Sequence, residues 1–198
     1  MVALSSQSFW QQLDYWDKWL FIKLNNSWTN SFFDGLLPYC TSILFWAPAF
    51  IFLLAFILMN YGKNGAAWCT AFVCTIALAD LISSFLQLMI QRLSPCTDPA
   101  FFMHIRLLLN NCSDAYSFPS AKAAIYFGLA TFGSITLYPA FKRWVYLSYI
   151  WALFISYAVV YAGAAYPLDV MAGGVLGVLA GLLAAWVLNK NSEPLSFK

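Results

Sequence analysis

Charge is what this chain has least of. Only 9% of its 198 residues are Asp, Glu, Lys or Arg, where a soluble globular domain carries about a quarter. So few ionic groups cannot cover a water-facing surface, and a composition that is 62% hydrophobic belongs in a bilayer. Histidine is nearly missing too. His104 stands alone, which excludes a His-based metal centre, and no CxxC or Cys/His grouping replaces it. Neither a metal nor another cofactor is expected. The Lys and Arg residues are scattered, without the basic patch or arginine-interleaved aromatics that would bind nucleic acid. Nor is a signal peptide expected: Met1 to Gln7 carry no charge, and no short apolar core with a cleavage site follows. Insertion is therefore expected to rely on internal helices.

What the chain has in quantity is apolar sequence in long runs. Five stretches, 41–60, 66–90, 120–138, 144–163 and 168–188, each come close to the roughly 20 residues that span about 30 Å of hydrocarbon. Ahead of them, residues 8–24 place Phe9, Trp10, Leu13, Trp16, Leu20 and Phe21 at helical spacing, interrupted by Asp14, Asp17, Lys18 and Lys23. That pattern predicts an amphipathic helix lying in the interface, and 31–39 predicts a second short one. The aromatic share of 19% suits helix ends anchored at membrane interfaces. The expected fold is all-α: one domain, 1–198, with an interfacial region at 1–40 and a transmembrane bundle of about five helices at 41–190.

Loop charges set the expected orientation. Lys63, Lys142, Arg143, Lys190 and Lys198 fall on one side and predict it to be cytoplasmic. The opposite side, with Arg92, Arg106, Lys122, Asp98 and Asp114, then faces the periplasm or the outside. Cys96 and Cys112 bracket a polar loop on that side, and a disulfide between them fits an extracytoplasmic position. Cys40, Cys69 and Cys74 lie in or beside apolar runs, where a thiol packs as a small hydrophobe. Gly173, Gly177 and Gly181 recur every fourth residue and allow close helix approach, within the bundle or between copies.

One apolar run carries Asp80, Ser83, Ser84, Gln87 and Gln91 at steps of three and four. An acid at membrane depth is expensive unless neutral, paired or wet, so this face is expected either to line an interior cavity or to form a hydrogen-bonded seam. At its outer end three polar stretches converge: 87–95 (QLMIQRLSP), 116–122 (YSFPSAK) and 161–170 (YAGAAYPLDV). Ser120 is placed to cap a helix whose free N–H groups face outward.

Those three stretches resemble, in order, spacing and position at helix ends, the motifs of the PAP2 (type 2 phosphatidic acid phosphatase) superfamily, which shares its core with vanadium haloperoxidases. The likeness covers most of the chain. WDKWLFIKLNN and FFDGLLP resemble the amphipathic start of small bacterial membrane members, while SFPS and YPLDVMAGG are the clearest signatures. The family pattern is Lys, six residues, Arg-Pro; then Pro-Ser-Gly-His; then Ser-Arg, five residues, His, three residues, Asp. Here the first lysine falls on Gln87 and the arginine on Ser94. The second-motif glycine falls on Ala121 and its histidine on Lys122. The third-motif Ser-Arg pair falls on Ala158 and Val159, and the histidine on Ala165. Ser120 and Asp169 are kept, and Arg92 matches an extra arginine that often precedes the first-motif arginine.

In that family the third-motif histidine attacks phosphorus and the aspartate orients it. The second-motif histidine protonates the leaving oxygen, and the basic residues hold the phosphate. The resemblance therefore implies a pseudoenzyme: a non-catalytic membrane protein that binds lipid phosphate through Arg92, Arg106, Ser120 and Lys122, or serves as an accessory subunit of a membrane complex. The alternative is a divergent phosphatase of phosphatidate or undecaprenyl pyrophosphate, a phosphoric monoester or diphosphate hydrolase working from Ser120, Lys122 and Asp169. Expected partners are membrane lipids and other membrane subunits, and the expected location is a bacterial inner membrane.

Overall fold

The computed structural model describes residues 9–99, 101, 103, 105–108 and 115–192. His104, Cys112 and Asp114 lie outside the described residues. Among the described residues seven α-helices follow one another: α1 (Phe9–Ile22), α2 (Ser31–Cys40), α3 (Ile43–Ile90), α4 (Ala121–Thr136), α5 (Tyr138–Phe141), α6 (Leu147–Tyr161) and α7 (Pro167–Asn191). A π-turn, Lys23–Ser27, follows α1, and a 3₁₀ turn, Lys142–Tyr146, joins α5 to α6.

α3 is 48 residues long but is not one rod, because Gly62 leaves helical geometry at φ 52° and ψ −122°. The positive φ is open to glycine and costly for other residues. Beyond it the chain doubles back. The Cys69 thiol reaches the Leu54 carbonyl at 3.6 Å, and the Phe50 and Phe72 rings sit 5.6 Å apart. A β-carbon on Gly65 would lie 2.5 Å from the Ile57 carbonyl oxygen. Each pair is placed symmetrically about the turn, so the two arms are antiparallel. The segment 61–65, expected to be a loop between spans, is thus a helical hairpin that departs from helix at Gly62.

Among the described residues three helical stretches are long and apolar enough to cross a membrane: Ile43–Ile90, Tyr138–Tyr161 and Pro167–Asn191. The shorter α4, 16 residues, is the enclosed element, with ten of its residues buried. It packs against α3, α6 and α7.

Its closest approach is to α7. β-carbons built on Gly173, Gly177 and Gly181 would lie 2.2, 2.2 and 2.4 Å from the carbonyl oxygens of Ser120, Ala124 and Gly128. Both sets advance by four residues in the same direction, so α4 and α7 run parallel, backbone on backbone. The glycine stripe packs inside the bundle. Gly177→Ala is expected to lower the midpoint of thermal unfolding in detergent, since overpacking of this kind costs about 1–3 kcal/mol. Gly133→Ala is the control, because a β-carbon there meets nothing within 4 Å. Equal midpoints for the two variants would contradict the close contact.

One expectation about polar residues needs correcting. The inward face of the second arm of α3 is Gly65, Trp68, Phe72, Thr75, Ala79 and Ser83, and Asp80, one position further on, is exposed. The continuous stripe of small and aromatic side chains takes the interior; only Ser83 and Gln87 of the expected polar face continue it. On α1 the Asp17 side chain is turned inward, while that of Asp14 stays about half exposed. Asp17 and Phe21 are buried, whereas Phe9, Trp10, Trp16 and Leu20 are exposed. The aromatics suit contact with lipid, and the Asp17 carboxylate points into the protein.

Candidate functional site

The three polar stretches meet where α3 ends and α4 and α7 begin. Gln91 closes α3 in the left-handed region, at φ 53°, and the chain leaves as an extended segment. That segment is pinned to the one preceding α4. Ser117 donates its N–H to the Arg92 carbonyl (3.0 Å) and Ser94 donates to the Ala115 carbonyl (3.1 Å), with an antiparallel bridge between Leu93 and Tyr116. Ser120 caps α4, its hydroxyl accepting from the Ala123 N–H at 3.4 Å, and its own N–H donates to the Asp169 carbonyl at 2.9 Å. Pro167 opens α7, where a missing N–H costs nothing. Asp169, two residues on, turns its carboxylate back to accept the Tyr166 N–H at 3.0 Å.

At the centre stands Arg92. One guanidinium nitrogen, Nη1, donates to Asp169 Oδ1. The other, Nη2, donates to Asp17 Oδ2 at 2.6 Å and lies 3.4 Å from Asp14 Oδ1. The second oxygen of Asp17 accepts the Leu168 N–H at 2.9 Å, so α1 supplies an anion to the N-terminus of α7, where anions are favoured. The guanidinium also lies 4.6 Å from the centre of the Tyr166 ring. The carboxylates of Asp17 and Asp169 have no exposed surface, and Arg92 is 22% exposed. Burial opposes the arginine's charge, but Asp169 and Asp17 more than offset it and hold its pKa above the usual value. Lys18 pairs with Asp14 at 2.8 Å. The cluster thus brings the carboxylates of Asp14, Asp17 and Asp169 together with the cations of Arg92 and Lys18.

The other first- and third-motif positions are occupied by groups that pack or tether. Gln87 donates from Nε2 to the Pro119 carbonyl at 2.9 Å. Ser94 is fully buried, its hydroxyl 2.9 Å from that of Thr97 and 3.3 Å from the Cys96 sulfur. Ala158, Val159 and Ala165 are buried. Ala165 shares its cluster with Phe21, Tyr126 and Tyr166, and the Phe21, Phe101 and Tyr166 rings pack in a triangle with centres 5.3–5.8 Å apart. Lys122 is half-buried on the first turn of α4. Cys96 is disulfide-bonded.

Arg106 belongs to a different network from Arg92, which corrects the expectation that the two share one anion pocket. It makes a two-pronged ion pair with Asp34 of α2, at 2.8 and 2.9 Å, and lies 5.3 Å from the Tyr161 ring. Asp34 also accepts the Tyr161 hydroxyl at 2.5 Å. That hydrogen bond, then Arg106, hold the Asp34 carboxyl below its usual range despite some desolvation. Asn25, fully buried, ties the same loop down. It donates to the carbonyls of Arg106 (2.9 Å) and Tyr161 (2.8 Å) and accepts the Arg106 N–H at 2.8 Å.

Sequence reasoning named Arg92, Ser120 and Asp169, and the structure brings them together. It missed Asp17. The available signal was three-residue spacing: Asp14 and Asp17 lie on one face of α1, and two acids on one face of an otherwise apolar helix ask for a cation.

Comparison with known proteins places this arrangement. A model of the PAP2 superfamily matches residues 68–193. The lipid A 4'-phosphatase of Bacteroides thetaiotaomicron is 31% identical over 163 residues, covering 80% of this chain and 71% of that protein. The undecaprenyl-diphosphatase of Sulfolobus acidocaldarius is 30% identical over 143 residues, covering 72% of this chain and 63% of that one. Among solved structures, the transmembrane PAP2-type phosphatidylglycerolphosphate phosphatase of Bacillus subtilis superposes with a TM-score of 0.72 at 18% identity. That superposition covers 92% of this chain and 89% of the other, a likeness of fold.

Proposed function

The chain belongs to the PAP2 superfamily, and from that premise we propose that it is a non-catalytic membrane member, a lipid-phosphate binder or an accessory subunit built on a phosphatase scaffold. The observation that carries this reading is that Ala165 stands at the nucleophile position while Asp169 is kept. The position of the family's nucleophile holds a buried methyl group, and the aspartate that would orient a histidine binds Arg92 and the Tyr166 N–H instead. Without a nucleophile the covalent route has no first step.

A second reading, a divergent lipid phosphatase, is the one that the names of the relatives favour. They are phosphatases of lipid A, of undecaprenyl diphosphate and of phosphatidylglycerolphosphate. On this reading Ser120, Lys122 and Asp169 work with a nucleophile other than a histidine at 165, on phosphatidate or undecaprenyl pyrophosphate. For either reading we infer five membrane crossings in a bacterial inner membrane. The Arg92 cluster would face the periplasm, and Lys63, Lys142 and Arg143 the cytoplasm.

Phosphate release by the purified protein separates the two. Phosphatidate, undecaprenyl pyrophosphate and lipid A are offered in detergent, with heat-treated protein as the blank. The expected result is no release above the blank. Turnover that Asp169→Ala abolishes would overturn the non-catalytic reading and establish the second.

A further inference from the structure

A cavity of about 250 Å³ lies near the end of the bundle opposite Arg92 and opens to one side. Its wall is apolar, built from Phe50, Leu53 and Phe72 of the α3 hairpin, Leu129 and Gly133 of α4, and Trp151 of α6. It is far from a watery site. An apolar space with so few polar groups does not hold ordered water, and in a bilayer the available filling is hydrocarbon.

The rim carries the second half of the argument. Phe141 and Trp144 line both this cavity and a neighbouring hollow that also includes Lys142 and Arg143. Both cations are exposed, and among the described residues neither is ion-paired. Trp144 is 74% exposed, as expected for an indole at the headgroup level. Two exposed cations beside an interfacial tryptophan attract an anionic headgroup, and the adjoining apolar space takes the chain that comes with it.

We propose that this is a binding site for one anionic phospholipid, with an acyl chain in the cavity and the phosphate headgroup at Lys142 and Arg143. It is separate from the Arg92 cluster and does not depend on whether that cluster hydrolyses anything. At this end of the bundle the lipid would come from the leaflet opposite to the one the Arg92 cluster faces.

Native mass spectrometry of the detergent-solubilised full chain tests it, with phosphatidylglycerol and phosphatidylcholine of identical chains as probes. The parent is expected to retain phosphatidylglycerol preferentially. Gly133→Leu extends a side chain into open space, since a β-carbon there meets nothing within 4 Å, and it replaces glycine by a better helix former. This variant should unfold at or above the parental temperature while losing phosphatidylglycerol binding roughly tenfold. Lys142→Gln with Arg143→Gln should keep phosphatidylcholine binding and weaken phosphatidylglycerol by at least about tenfold, as expected for two basic residues near a headgroup. Equal retention of the two lipids by the parent overturns the proposal. So does parental phosphatidylglycerol affinity in either variant.

Discussion

Arg92→Gln is expected to destabilise the protein by about 3–5 kcal/mol, because removing one partner of a buried ion pair leaves the other charged and unpaired. Here two carboxylates would be stranded, since the side chains of both Asp17 and Asp169 have no exposed surface. Against a total stability of about 5–15 kcal/mol that is a large fraction. The loss should begin with α1, which is held at this point by the Arg92–Asp17 pair and by the Leu168 N–H bond to Asp17. Hydrogen exchange over residues 9–22, with thermal unfolding in detergent, provides the measurement. Adding Asp17→Asn to Arg92→Gln should recover part of the loss, because one stranded charge disappears; the coupling is read from the four-variant cycle. A loss under about 1 kcal/mol, typical of an exposed pair, would mean that the cluster is wet and that the guanidinium does not hold α1.

The second large effect concerns turnover. Ala165→His alone is expected to give no phosphatase activity. The new imidazole would stand four residues before Asp169, the family spacing, but both oxygens of that carboxylate are already engaged, by Arg92 and by the Tyr166 N–H. It would also lack the acid the family has at Lys122 and the cations it has at Gln87, Ser94 and Val159. Groups that act together on one transition state are strongly non-additive, and loss of the nucleophile alone can cost on the order of 10⁶ in rate. Restoration should need at least Ala165→His with Lys122→His, Ser94→Arg and Val159→Arg. Ser94 and Val159 are buried, so two arginines there also require the surrounding loop to open. Phosphate release by the single and combined variants, each checked for folding by its thermal transition, decides the matter. Activity in the single variant would show that Asp169 can leave Arg92 and that the remaining groups suffice.

The helical architecture could be read from the chain because its causes are local. Apolar runs of crossing length mark the helices, and glycines at four-residue spacing mark the face of α7 that meets α4. The α3 hairpin was only half legible. Its two arms showed as separate runs, but that helix continues to within a residue of Gly62 depends on the packing of Ile57 against Gly65. Asp80 was assigned to the interior on periodicity, yet a face one position away buries better, and spacing alone cannot choose between adjacent faces of one helix.

At the site, Ser120 and Asp169 stood out because their neighbours in sequence form recognisable helix entries. What occupies Arg92 did not. Its partner Asp17 lies 75 residues away, on a helix whose own sequence reads as a simple interfacial anchor. Nothing local separates a carboxylate that faces water there from one that reaches inward. Arg106 and Asp34, 72 residues apart, were hidden for the same reason.

The backbone contact between α4 and α7 acts as a ruler. Glycine at 173, 177 and 181 leaves no side chain to cushion the joint, so the two helices mesh at a single setting. A slip by one helical turn would displace them by about 5.4 Å, enough to part the Ser120 N–H from the Asp169 carbonyl and draw Asp169 away from Arg92. The alignment of the polar cluster is therefore fixed along the length of the bundle by a backbone joint that extends well beyond it. Substitutions at Gly181, more than two turns from Asp169, should be felt there as a change in distance between the two helix ends.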